Sequence, residues 1–405
     1  MPDLEPVPIS VGELLDEKFP ELTRCTTAWD QLSTHLRTHF NEPDLDALRA
    51  VLSVAHSHYD EGDPVWAFVI GASGSGKTSI CINAISQWPK VLIMSDITPK
   101  AFLPGGKDGF TVGILETMGK SGILAFKDFT TILSQRDDDR RVISSQLREI
   151  WDGSFSRNSG ARRADWQGKV TVIAAVTPAI ERSWSVGREL GERFMQIRWN
   201  SPRDSVKTAM MASNQKGLES EIYGRTKKLC AELFKAAAPP KFKSPYFTKA
   251  RQSRIHHISV AIAQLRTHVI RDSHGKREII DITSVEEPTR ISKSLSTIAC
   301  HHALLFRKDE VGENDLLVAM RVGVDSIPLT RSKVIHSIPL DAKIDLATIG
   351  HFTGMPRATI TWHLEELMAL KVLNGISSRF SDAIDNYEFT EEFLSHWKQR
   401  VSSST

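Results

Sequence analysis

Short apolar segments alternate with longer segments of helical periodicity through residues 61–200. The strand-like segments comprise residues 65–70, 91–94, 122–128, 169–175 and 194–199. Short runs that are apolar throughout are typical of strands buried on both faces of a sheet. Their alternation with helical patterns predicts an α/β fold. We expect a mostly parallel, doubly wound sheet with a ligand at the carboxyl ends of its strands.

The same pattern divides the chain into four regions. The apolar positions of the first region form a helical stripe that includes Leu45, Leu48 and Val51. The third region lacks strand alternation, and its strongest helical segments are residues 253–270 and 288–306. The predicted organisation is an N-terminal helical segment (1–60), an α/β subdomain (61–200), a helical subdomain (201–330) and a C-terminal domain (331–405).

The C-terminal region has the pattern of a winged helix-turn-helix domain. A short helix at 345–350, a glycine-containing turn, a second helix at 357–370 and a hairpin within 372–389 follow one another. Ile360, Leu364 and Leu367 are expected to face inward. The outward residues Arg357, Thr359, Thr361 and His363 are the DNA-binding candidates. A winged helix that binds only protein is the alternative.

The composition limits the class of protein and its compartment, but it does not indicate a particular binding partner. The chain has 405 residues, of which 40% are hydrophobic and 25% charged, as in an ordinary globular protein. Its 51 basic and 49 acidic residues give a net charge of +2. The 4 cysteines are far apart in the sequence, which argues against a zinc or disulfide framework and favours a reducing compartment. Without an apolar leader or a long apolar run, we expect a cytoplasmic protein with no membrane partner.

Directly after the first strand-like segment lies the sequence GASGSGKT, residues 71–78. It matches G-x-x-x-x-G-K-[ST] between a strand and a helix, the pattern of a phosphate-binding loop, or Walker A motif. The glycines let successive N–H groups face a phosphate, and the following helix N-terminus adds a favourable dipole. Lys77 would contact the β- and γ-phosphates, and Thr78 would bind Mg²⁺. The candidate residues for binding a nucleoside triphosphate are Gly71, Ala72, Ser73, Gly74, Ser75, Gly76, Lys77, Thr78 and Ser79.

The third strand-like segment ends in an acidic residue. Asp128 would lie beside the Thr78 hydroxyl and hold Mg²⁺ with it. The residue after Asp128 is Phe129, which cannot orient an attacking water molecule. Another acid would have to do so, and the sequence leaves Asp96, Glu116 and Glu149 open.

A β-hairpin is predicted around residues 158–160. Arg157, Arg162 and Arg163 lie at its tip and are further DNA-binding candidates. A solvent-exposed loop whose charges serve solubility is the alternative interpretation. Both remain open at this point.

The loop GASGSGKT, the helical stretch 286–328 and the C-terminal winged helix together resemble the AAA+ superfamily. The layout is similar to origin-recognition, replication-initiator and minichromosome-maintenance proteins. The resemblance implies ATP and Mg²⁺ as ligands, Thr177 as the first sensor and Arg290, in the helical lid, as the second. It also implies that Arg193 is an arginine finger offered to a neighbouring subunit, with Arg188 as the competing candidate. A ring or spiral homo-oligomer follows, with the hairpin in its central pore.

The expected function is therefore that of an ATP-dependent, oligomerising, DNA-binding ATPase. Initiator, helicase-loader and transposition-regulator roles all fit. Because Phe129 replaces the usual acid, hydrolysis could be slow, and an ATP-switched transcriptional regulator is the first alternative. A defence-system ATPase whose winged helix binds protein is the second.

Overall fold

The computed structural model describes residues 20–103, 113–159, 162–182, 193–200, 202, 204–237, 244–272, 277–377 and 384–400. Of residues 20–24, 159, 162, 163 and 182 it describes only the backbone. The strands are β1 (Trp66–Ile70), β2 (Val91–Met94), β3 (Ser121–Phe126), β4 (Ser154–Ser159), β5 (Arg162–Gln167), β6 (Lys169–Val176), β7 (Phe194–Arg198), β8 (Val269–Arg271), β9 (Ile279–Ile282), β10 (Ile344–Asp345), β11 (Leu373–Ser377) and β12 (Ile384–Phe389).

Helices fill most of the remaining described chain. The α-helices are α1 (Pro20–His39), α2 (Leu45–His56), α3 (Asn83–Ile85), α4 (Ile114–Met118), α5 (Thr130–Leu133), α6 (Asp137–Trp151), α7 (Ser205–Asn214), α8 (Glu219–Ala237), α9 (Lys249–Arg266), α10 (Thr289–Leu305), α11 (Glu313–Asp325), α12 (Leu329–Ser337), α13 (Leu346–Thr353), α14 (Arg357–Ala369) and α15 (Glu391–Trp397). A π-helical segment, Thr78–Ile82, leads directly into α3. None of the described helices is long and apolar enough to span a membrane.

A parallel sheet of 5 strands, in the order β2-β3-β6-β1-β7, forms the centre of the α/β part. Alternate side chains of β1 enter different cores: Ala67 and Val69 face one side, and Phe68 and Ile70 the other. Helices α2, α8 and α10 cover the first face, whereas α4, α5 and α6 cover the second. The predicted parallel sheet with helices on both faces is confirmed.

The strand order determines which residues meet at the carboxyl edge. Because β6 lies between β1 and β3, the residue after β6 lies between the phosphate-binding loop and Asp128. The segments after β2 and β7 flank this group on either side. The fold therefore brings the ends of distant segments of sequence to one edge of the sheet.

The helical region 201–330 differs from its prediction in one respect. Helix α9 ends at Arg266, and β8 and β9 form an antiparallel hairpin where the periodicity predicted helix as far as residue 270. Helices α8–α11 also share a single hydrophobic core with α2 and one face of the sheet. The predicted boundaries at residues 60 and 200 therefore divide a continuous core.

In the C-terminal part, α12, α13 and α14 pack beside an antiparallel sheet of order β10-β12-β11. Ile360, Leu364 and Leu367 are fully buried, as the sequence predicts. Gly354 ends α13 with a φ of 65°, a left-handed conformation that favours glycine. Helix α12 spans the predicted boundary at residues 330/331.

Candidate nucleotide-binding site

The loop that follows β1 depends on glycine at several positions. Gly74 and Gly76 have φ values of 74° and 85°, which other residues rarely adopt. A Cβ atom on Gly71 would lie 3.1 Å from both Ser75 Oγ and Trp199 Cβ, closer than ordinary contact. The backbone can therefore curl tightly over the end of β1, with the Gly71 amide donating to Val176 O at 3.2 Å.

Lys77 is buried inside this loop, with only 7% of its surface exposed. Its Nζ donates to Ala72 O at 3.0 Å. Burial lowers the pKa of Lys77, and the charge of Asp128 opposes that shift. Within the described residues, no carboxylate oxygen lies within ion-pair distance of Lys77. A buried cation without a close counter-charge is unfavourable, so an anion in the loop would offset that cost.

The loop also contains a hydroxyl group without a partner. Ser75 Oγ is shielded from solvent and makes no hydrogen bond within the described structure. From the other side, Trp199 Nε1 donates to Ser75 O at 2.9 Å and fixes the backbone of the loop. An oxygen-rich ligand would satisfy the orphaned hydroxyl, and the loop residues therefore fit a triphosphate.

The predicted metal-binding side chains meet at the carboxyl edge of the sheet. Thr78 Oγ1 donates to Lys127 O at 3.3 Å, next to Asp128. Asp128 Oδ1 accepts from the Thr130 amide at 2.9 Å, and the hydroxyls of Thr130 and Thr177 are 3.5 Å apart. A hydroxyl and a carboxylate are suitable oxygen ligands for Mg²⁺ when phosphate oxygens and water complete its shell. The described residues contain no cluster of three or more His, Cys, Asp or Glu that could hold a metal alone.

Beside the loop lies a cavity of about 320 Å³ that the sequence did not predict. The rings of Phe40 and Tyr223 are stacked at its wall, with centroids 6.4 Å apart. Asn41 also lines it and donates to Asp204 O and Thr208 Oγ1, both at 3.0 Å, whereas its own Oδ1 is buried without a partner. These residues follow α1 or belong to α7 and α8. No motif connects them, so only the fold could show that they meet.

Phe129, the residue after Asp128, belongs to the hydrophobic core. It is 1% exposed, and its ring packs against Phe68 and Phe126 at centroid distances of 5.1 and 5.3 Å. Its amide donates to Ala175 O at 2.8 Å. The side chain therefore points into this core and away from the carboxyl edge of the sheet, in addition to lacking a group that could orient water.

The three acids left open by the sequence lie in different places. Glu116 Oε2 accepts from the Gly113 amide at 3.2 Å and caps α4. Glu149 is exposed near the end of α6, which leads to β4 and the amino edge of the sheet. Asp96 follows β2, so of the three it is the one that the sheet places next to Asp128.

Arg290 is at the wrong edge for the role that the resemblance implies. Its guanidinium lies 5.2 Å from the Trp151 ring and pairs with Glu286 at 3.4 Å. Arg290 also lines a cavity with Asp63 and Val65, which precede β1. Because β1 has 5 residues, at about 3.3 Å each, roughly 16 Å separates that edge from the loop. Arg290 therefore lies too far from the loop of its own chain to contact a γ-phosphate bound there, and its role as second sensor stays a prediction.

Arg193 also lies at the amino edge. It precedes β7, its Nη2 is 3.2 Å from Asp152 Oδ1, and its guanidinium is 5.1 Å from the Trp151 ring. This position is distant from the loop of the same chain, as a finger offered to a neighbour requires, but the role stays a prediction. Arg188 lies outside the described residues.

The predicted hairpin exists as β4 paired with β5, but Arg157 has a structural role in it. Arg157 is half-buried, and its Nη1 donates to Pro99 O and Leu103 O at 3.3 and 3.2 Å. It attaches the hairpin to the segment after β2 instead of projecting from a tip. Arg162 and Arg163 belong to β5, and the structure describes only their backbone.

The candidates on α14 have different surroundings. Arg357 is exposed, while Thr359 and Thr361 are half-buried, with Thr361 Oγ1 donating to Arg357 O at 3.0 Å. His363 Nδ1 is 3.2 Å from Glu366 Oε2, so this side chain is paired within its own helix. Of the four candidates on α14, only Arg357 is exposed, so fewer of these side chains are open to solvent than the sequence predicts.

Comparison of the chain with protein-family models gives no match, and comparison with curated proteins gives none either. The AAA+ resemblance consequently depends on the sequence motifs alone.

Proposed function

We propose that the chain is a cytoplasmic, DNA-associated ATPase of the AAA+ type that binds ATP with Mg²⁺ and assembles into a ring or spiral. The observation that supports it most is the buried Lys77 in a glycine-dependent loop, without a carboxylate partner in the described structure. The unpaired Ser75 hydroxyl in the same loop points to the same class of ligand. A bound triphosphate would supply both groups with partners.

Each residue at the carboxyl edge has a role in this proposal. Lys77 and the loop amides would bind the β- and γ-phosphates, and Thr78 with Asp128 would hold Mg²⁺. When bound, Mg²⁺ would neutralise charge that develops on the phosphate oxygens. Thr177 lies between the loop and Asp128, where its hydroxyl can contact the γ-phosphate. The cavity with Phe40 and Tyr223 offers an aromatic wall for the base, and Asn41 Oδ1 offers a hydrogen-bond acceptor.

The C-terminal part supports the DNA-binding half of the proposal. Its three helices and its sheet follow the order of a winged helix-turn-helix, with α14 as the second helix of the helix-turn-helix. Arg357 is exposed at the first turn of α14, where a side chain can enter a groove. Duplex DNA is the partner that we propose for this surface.

Equilibrium binding of Mg-ATP to the wild-type chain and to Lys77→Ala tests the proposal. A lost charge-assisted contact of about 1.5–3 kcal/mol corresponds to roughly 10- to 150-fold weaker binding. Lys333→Ala removes an exposed lysine from α12 and should leave the affinity unchanged. Equal affinity in wild type and Lys77→Ala, or no binding by wild type, would refute the proposal.

A switch that binds ATP and hydrolyses it slowly or not at all is the second candidate. The burial of Phe129 favours it, because the usual water-orienting position is absent from the site. Turnover measured with and without duplex DNA separates the two functions. DNA-stimulated turnover supports the ATPase, whereas nucleotide-dependent DNA affinity without turnover supports the switch.

A further inference from the structure

Hydrolysis of ATP needs a group that orients the attacking water and accepts its proton. The residue after Asp128 cannot be that group, because Phe129 is packed in the core. If the proposed ATPase activity is correct, the group must come from another segment at the same edge of the sheet. The inference below rests on that proposed function.

The segment after β2 lies at the required place. Strands β2 and β3 are parallel and pair Met94 with Phe126, so both chains leave the sheet side by side. The Lys127 amide donates to Met94 O at 2.9 Å, and Thr131 Oγ1 donates to Ser95 O at 3.2 Å. These bonds hold Asp96 beside the turn that contains Asp128.

The Asp96 carboxylate is itself fixed on one side. Its Oδ1 accepts from the Ile97 amide at 2.8 Å and from Gln135 Nε2 at 2.9 Å. The same Gln135 nitrogen donates to Ile97 O at 2.8 Å, which anchors the amide group. Oδ2 has no hydrogen-bond partner among the described residues, and the side chain is exposed. One oxygen is thus held while the other can accept a proton.

We propose that Asp96 is the general base of ATP hydrolysis and that Gln135 is its positioning residue. Asp96 Oδ2 accepts a proton from water as the water oxygen forms a bond to the γ-phosphorus. The bond between the γ-phosphorus and the bridging oxygen of ADP breaks at the same time. ADP and phosphate are the products, and the proton passes from Asp96 to phosphate or solvent.

Asp96→Asn is the most informative variant because its remaining carbonyl oxygen can still accept from Ile97 and Gln135. We expect kcat to fall by about 100- to 10,000-fold, the usual contribution of a general base. The dissociation constant for Mg-ATP should stay within about twofold of wild type, since the phosphate-binding loop is intact. Asp96→Glu should restore part of the activity. Gln135→Ala should lower kcat by less and leave binding unchanged.

Asp341→Asn, the same chemical change at an exposed residue before β10, should turn over ATP like wild type. Normal turnover by Asp96→Asn would overturn the inference. A wild-type chain that binds Mg-ATP but does not hydrolyse it would also overturn the inference. That result would not contradict the proposed nucleotide binding. A wild-type chain that fails to bind Mg-ATP would refute the proposed function as well.

Discussion

At the residue scale, Trp199 connects the end of the sheet to the phosphate-binding loop. Its indole nitrogen donates to Ser75 O. Its Cβ lies so close to Gly71 that a side chain at that position would be nearer to it than ordinary contact allows. Because Trp199 follows β7 directly, a rigid strand fixes the loop through a single hydrogen bond. The loop can therefore be preorganised before any phosphate binds.

Trp199→Phe keeps most of the ring packing and removes this hydrogen bond. A neutral hydrogen bond contributes about 0.5–1.5 kcal/mol, so we expect Mg-ATP to bind roughly 2- to 13-fold more weakly. Trp88→Phe is the matched control, because Trp88 is equally buried and its indole nitrogen has no partner in the described structure. Equal losses in the two variants would show that ring packing, and not the hydrogen bond, matters.

The sequence alone was enough to propose those candidate site residues that belong to a single motif or lie at the end of a predicted strand. The loop residues and Asp128 became candidates because they lie at the ends of strands that the hydrophobic pattern predicts, whereas Thr177 became one through the AAA+ resemblance. The position of Arg290 could not be predicted, because its role was taken from the AAA+ resemblance and no sequence pattern specifies which edge of the sheet its helix approaches. The contacts of Arg157 with Pro99 and Leu103 were missed for a similar reason: they join segments that no sequence pattern relates.

At the element scale, a cluster of charges joins α14 to the helical region. Glu366 Oε2 is 3.0 Å from Arg331 Nη2, and its Oε1 is 3.2 Å from Arg271 Nε. Arg331 also donates to Leu265 O and Thr267 O at 2.6 and 2.8 Å, at the end of α9. Burial alone would raise the pKa of Glu366, but hydrogen bonding to His363 and the Arg331 charge lower it to about 2. The carboxylate thus stabilises the position of α14.

Glu366→Gln should lower the free energy of unfolding by about 2–3 kcal/mol at neutral pH, because buried Arg331 loses its counter-charge. The folded-state pKa, about 2, lies below the ordinary value of 4.5. This contribution is therefore complete above pH 4.5 and is lost as the pH falls toward 2. Denaturant unfolding at several pH values checks both points.

Glu287→Gln alters an exposed glutamate and should leave the unfolding curve unchanged. A Glu366→Gln variant as stable as wild type at neutral pH would contradict the prediction. So would a stability difference at pH 2 as large as the one at neutral pH.

Most elements follow from the hydrophobic pattern, and the exceptions have physical causes. Each strand of the β8–β9 hairpin has only 3 or 4 residues, and β8 directly continues the pattern of α9. A period of two cannot be distinguished from a helical period over so few positions. Strand β10 has 2 residues and pairs with β12 only through the tertiary fold, so no local pattern indicates it.

At the scale of the whole molecule, the two edges of the sheet carry different parts of one proposed site. The loop, Asp128, Thr177 and Asp96 lie at the carboxyl edge, and Arg193 lies at the amino edge. A single chain cannot bring Arg193 to its own loop, because the full length of the strands separates them. If Arg193 acts on nucleotide, a second subunit must present it, and assembly would then depend on ATP.

The most direct test is to image single particles with saturating Mg²⁺ and a non-hydrolysable ATP analogue, and without nucleotide. We expect rings or spirals that depend on the analogue. Triphosphate density should contact Lys77 of one subunit and Arg193 of its neighbour. Loops without nucleotide density at saturating analogue, or particles that remain single chains, would contradict the account.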